Sequence, residues 1–71
     1  MNFEWAEQEI KYLLFHKANI LTYEKEHRLY LRIDKITAIE EYDKITRLHT
    51  DGNVYYVVEP IDEVIKLMGL K

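Results

Sequence analysis

Seventy-one residues, with 48 % apolar and 32 % charged side chains, describe one small globular domain over 1–71 and exclude a disordered chain. With no cysteine, disulfides and thiolate metal sites are excluded, and two glycines leave no phosphate-cradling loop once a turn and a helix end are served. A net charge of −3, with ten basic residues scattered along the chain, disfavours nucleic acid as a partner.

In chain order, the first signal is helical. Asn2 suits an N-cap, Glu4 and Glu7 suit the positive end of a helix dipole, and Phe3, Ala6, Ile10, Leu13, Leu14 and Lys17 form one stripe at spacings of three and four. This predicts a helix over residues 3–18. Trp5, Tyr12 and Phe15 fall outside the stripe, where they either fringe a covered sheet or anchor a partner. Asn19 ends the helix, residues 20–23 begin a strand, 24–27 are a polar turn and 28–33 return as a second strand. Asp34 and Lys35 mark a bend. Residues 36–42 read as a third strand, though Ile36, Ala38 and Ile39 also suit a short helical turn.

The most specific local signal is Asp51-Gly52 between two runs of β-branched and aromatic residues, a two-residue hairpin of type I′. That turn sets a register in which Thr50 faces Asn53, Leu48 faces Tyr55 and Thr46 faces Val57. Thr46, Leu48, Tyr55 and Val57 then share one face; Ile45, Arg47, His49, Val54, Tyr56 and Val58 share the other. Both faces are apolar, so both are predicted to be covered, one by two helices and the other by a second chain or partner. Pro60 opens a final helix with a stripe of Ile61, Val64, Ile65 and Met68, closed by Gly69 as the left-handed residue, with Leu70 folding back on Ile65. The predicted fold is α+β: a small antiparallel sheet of about four or five strands flanked by an N-terminal and a C-terminal α-helix.

The chain lacks serine as well as cysteine, and its histidines, His16, His27 and His49, lie in three different elements. Glu40, Glu41 and Asp43 read as a charged sheet edge. Catalysis is improbable on this set, and no metal or cofactor site is expected. Nine aromatics in so short a chain exceed what its interior holds, which points to an exposed or subunit contact. The partner-binding candidates are Trp5, Tyr12, Phe15, Arg47, His49, Val54, Tyr56 and Val58. They predict a small non-enzymatic interaction protein, a homodimer or higher homo-oligomer, that binds and modulates another protein. The size and acidity also suit a phage or mobile-element accessory protein or inhibitor. No apolar signal core follows Met1, and the longest apolar run, residues 54–58, is too short for a membrane span, so the expected location is cytoplasmic.

Two stretches carry a resemblance. Leu29-Tyr-Leu-Arg-Ile-Asp-Lys-Ile-Thr-Ala-Ile-Glu-Glu41 and the run from Ile45 through Asp51-Gly52 and Tyr55-Tyr-Val-Val58 to Lys66 resemble the small FlbD/SwrD-type proteins encoded among bacterial flagellar genes. Over residues 29–66 that resemblance implies a non-enzymatic accessory protein acting through contacts; it offers no catalytic residue, and the aromatic N-terminal segment has no counterpart in it. A fainter likeness to LytTR-type DNA-binding domains implies an alternative, a nucleic-acid-binding regulator using Arg32, Lys35, Lys44 and Arg47. A third reading is a sensor of a small anionic ligand, with a Tyr- and Arg-lined site at a subunit interface.

Overall fold

The computed structural model describes residues 11–70. Five strands and one helix follow one another: β1 (Tyr12–Ala18), β2 (Lys25–Arg32), a 3-10 turn (Ile33–Lys35), β3 (Ile36–Tyr42), β4 (Ile45–Thr50), β5 (Asn53–Val57) and α1 (Ile61–Leu67). All pairings are antiparallel, in the order β2-β1-β5-β4-β3.

The fold departs from the predicted α+β arrangement at its beginning. Residues 12–18, expected in the N-terminal helix, form β1; the remainder of that helix, including Trp5, lies outside the described residues. Tyr-Leu-Leu-Phe-His satisfies two periods at once, and pairing decides between them. Antiparallel pairing of Leu13 with Leu31 and Phe15 with Leu29 sends Leu13 and Phe15 inward, while Tyr12, Leu14 and His16 face out. Residues 20–23, expected as a strand, are a turn instead. Asn19 causes it: its side-chain Oδ1 accepts the amides of Leu21 and Thr22 at 2.8 and 3.1 Å, and its own amide donates to the Glu24 carbonyl at 2.8 Å. Tyr23 holds φ at 64° within this turn.

The central hairpin has the predicted register: Thr50, His49, Leu48, Arg47 and Thr46 face Asn53, Val54, Tyr55, Tyr56 and Val57. Its turn is not type I′, because Gly52 takes positive φ, 84°, and Asp51 does not. The preceding hairpin reverses at Asp43-Lys44 with Tyr42 facing Ile45, and there Asp43 takes positive φ, 56°. α1 ends as predicted. Gly69 sits at φ 74°, its amide donates to the Lys66 carbonyl, and the Leu70 amide reaches back to Ile65 at 3.1 Å, together a Schellman ending.

The β1–β5 seam is thin. Only Lys17 and Val57 pair across it, supplemented by the Val58 amide donating to the His16 carbonyl at 2.9 Å. The sheet curls at this seam, and the β1–β2 ribbon folds over the inner face of β3–β5. Phe15, Leu31, Leu48, Val57 and Val64 form the buried cluster, with Leu13, Leu29, Ile36, Ile39, Tyr55 and Met68 packed around it. Among the described residues, the inner face is therefore covered by one helix and by the sheet itself, where two helices were expected. A single buried residue of α1, Val64, docks it on this face.

Candidate functional site

The outer face of β3–β5 gathers the most concentrated set of interacting polar and aromatic groups among the described residues. Strand alternation places Ala38, Glu40 and Tyr42 of β3 beside His49, Arg47 and Ile45 of β4, and Val54 and Tyr56 of β5 beside His49 and Arg47. At the centre, the Arg47 guanidinium lies 5.3 Å from the Tyr42 ring centroid and 5.9 Å from that of Tyr56, and the two rings meet edge to face at 5.1 Å. Arg47 Nε donates to Glu40 Oε1 at 2.9 Å and Nη1 to the Tyr56 hydroxyl at 3.3 Å; His49 Nε2 donates to the same Glu40 oxygen.

The electrostatics follow from these bonds. The His49 ring, and after it Arg47, hold the Glu40 carboxyl below its usual range by stabilising the anion. Bonding to Tyr56, and then to Glu40, raises the Arg47 pKa further above its ordinary value. Arg47 is thus a fixed cation framed by two tyrosines, with its rotamer set in advance.

A second cluster joins the seam. Glu59, 7 % exposed, accepts the His16 amide through Oε1 at 3.0 Å and pairs with His16 Nδ1 through Oε2 at 2.7 Å. The Thr46 hydroxyl, also buried, donates to the Glu59 carbonyl at 2.7 Å. The carboxylate takes over the hydrogen bond that β5 would otherwise supply to β1. This arrangement is structural. At the same end, desolvation, and after it the hydrogen bond to Asp43, raise the Tyr23 pKa and tie two turns together.

A cleft of about 330 Å³ opens between β2 and the β4–β5 hairpin, lined among others by Tyr30, Arg32, Lys35, Thr50 and Tyr55. Both cations have carboxylate neighbours: Asp34 receives Arg32 in a two-pronged contact at 3.1 and 2.8 Å, and Asp51 lies 3.8 Å from Lys35. Asp34 is accordingly held below its usual pKa, chiefly by the Arg32 hydrogen bond. Of the four cations proposed for nucleic acid, Arg32, Lys35 and Arg47 are in this way each placed beside an acid.

The structure divides the predicted partner-binding residues. Arg47, His49, Val54 and Tyr56 do share one face, with Val58 following directly on β5. Tyr12 is 57 % exposed on the outer side of β1, beside Leu14 and opposite Arg32. Phe15 is corrected: it is fully buried in the core and faces no partner. Trp5 lies outside the described residues. Sequence reasoning missed Glu40 and Tyr42, which complete the Arg47 cluster. The signal was present in the β3–β4 hairpin, because a two-residue turn at Asp43-Lys44 places Glu40 opposite Arg47. It also missed Leu14 and Tyr30, facing each other across β1 and β2 at 40 % and 55 % exposure.

Among the described residues no cluster of three or more His, Cys, Asp or Glu could hold a metal ion, and no helix is long and apolar enough to cross a membrane. No family model, curated protein or solved structure matches the chain.

Proposed function

We propose that this chain is a small non-enzymatic interaction protein, homo-oligomeric, that binds and modulates a partner protein through the outer face of β3–β5. The observation that carries the reading is Arg47, framed by Tyr42 and Tyr56 and anchored by Glu40, beside Val54 at 48 % exposure, on a face that α1 does not cover. Arginine and tyrosine are the residues that dominate binding energies at interface centres. Holding them in place before contact lowers the ordering cost of association. The accessory-protein role implied by the FlbD/SwrD-type resemblance agrees with this reading.

Light scattering coupled to size exclusion tests it. The expected result is an assembly larger than a monomer that Tyr56→Glu dissociates while the far-ultraviolet circular dichroism is unchanged. A monomer at every concentration, or a Tyr56→Glu assembly of unaltered mass, refutes the assignment of this face.

The cleft supports a second reading, a sensor for a small anionic ligand, because Arg32 and Lys35 line it together with Tyr30 and Tyr55. Thermal-shift measurements against nucleotides and carboxylate metabolites decide it, with stabilisation that Lys35→Ala removes as the supporting result.

A further inference from the structure

Among the described residues the sheet has two edges, β2 and β3, and they differ in how they meet solvent. β2 is guarded by Lys25, Glu26, His27, Arg28 and Arg32. Such a density of charge is how edge strands avoid pairing with other chains. β3 carries two charges, Glu40 and Glu41, and Glu40 is already occupied by Arg47 and His49 on the outer face. The bulge in β3 falls at its start, between Ile36 and Ala38, so the edge from Ala38 to Tyr42 is regular. Along its inner side runs a groove of about 240 Å³ formed with the end of α1, whose apolar walls are Ile36, Ile39, Met68 and Leu70. Ile39 pairs with Leu48 and Glu41 with Thr46, so Ile39 and Glu41 share a strand face two residues apart. Glu41 is exposed and has no ion-pair partner among the described residues.

We infer that the free edge of β3 accepts an extended segment of a partner protein as a sixth strand: an aliphatic side chain of that segment enters the Ile36–Met68 groove and a lysine or arginine two residues along meets Glu41. The unpaired backbone groups of β3 supply the binding, and the groove with its carboxylate supplies the selectivity. A second copy of this chain is a poor occupant, because its β3 would bring Glu40 and Glu41 against the same two carboxylates. The inference deepens the reading of the chain as a binding module, since it names the partner's chemistry, but it uses a surface distinct from the Arg47 face.

The test is a titration of the full-length, isotopically labelled protein with a short peptide of repeating Val-Thr-Lys-Thr, which sets valine and lysine two residues apart on one strand face. The same peptide N-methylated at alternate backbone amides, and a third with glutamate in place of each lysine, serve as controls. Amide shifts confined to β3, Met68 and Leu70 are expected. Binding should weaken about tenfold on backbone methylation, and Glu41→Lys should transfer preference to the valine–glutamate peptide. Shifts elsewhere, equal binding of the methylated peptide, or no binding overturn the inference. So do contacts from residues 2–10 to β3 in the free protein, which would make the chain's own beginning the occupant. If Tyr56→Glu abolishes assembly while the peptide still fails to bind, this inference falls and the Arg47-face reading stands. If the peptide binds but no assembly depends on Tyr56, the reverse holds.

Discussion

Removing the Glu59 side chain should cost this protein more than any other change outside its apolar core. The β1–β5 seam has one paired position, and Glu59 bridges it by accepting the His16 amide at 3.0 Å and pairing with the His16 ring at 2.7 Å. In Glu59→Ala the part-buried His16 amide loses its acceptor, a penalty of about 1–3 kcal/mol, and the charge-assisted bond to the ring is lost as well. A total near 3 kcal/mol should lower Tm by about 12–24 °C for a chain this short. Glu59→Gln keeps an amide oxygen for the His16 N–H and should lose only about 1 kcal/mol. Urea unfolding followed by circular dichroism gives both values, with exposed Glu41→Ala as the control that should stay within about 0.5 kcal/mol. Hydrogen exchange adds a local check, since the His16 amide should lose protection in the alanine variant. A Glu59→Ala protein within 0.5 kcal/mol of the parent would show that the seam is held elsewhere and that the account of the curl is wrong.

Three further outcomes are expected. Leu48→Ala opens a cavity at a fully buried position of the main cluster and should destabilise by about 2–5 kcal/mol in the same urea assay. Gly52→Ala meets no atom within 4 Å, so its loss of about 1–2 kcal/mol should come from the left-handed backbone alone, with Gly52→Asn milder. Glu40 has a depressed pKa in the folded chain, so its contribution is fully present above the ordinary carboxylate range and is lost as pH falls through the lowered folded value. The denaturation midpoints of the parent and Glu40→Gln should therefore differ at pH 7 and converge in strong acid; a difference that persists there would show that the carboxylate charge is not its source.

From residue 45 onward the chain was legible because its signals are local. The two-residue turn at Asp51-Gly52 fixes register by geometry, and register fixes faces. Gly69 and Pro60 bound α1 through backbone conformations that their own chemistry sets. The Arg47 face was partly visible for the same reason, since Arg47, His49, Val54 and Tyr56 alternate on neighbouring strands. Residues 11–33 were ambiguous because Leu13-Leu14-Phe15 fits a helical stripe and a strand alternation equally well.

What settles β1 is its neighbour. Leu13, Phe15, Leu29 and Leu31 bury themselves only when two distant segments pair and then curl across the hairpins, and no local pattern in either segment records that contact. The sequence by itself determined the register of the central hairpin at Asp51-Gly52 and the helix that follows, with its Gly69 ending. Only the tertiary structure decided that Phe15 belongs to the core and not to an interface, that Glu59 completes a seam, and that β3 is, among the described residues, an edge strand beside an apolar groove, because each depends on residues far apart in the chain being brought within hydrogen-bond or van der Waals reach.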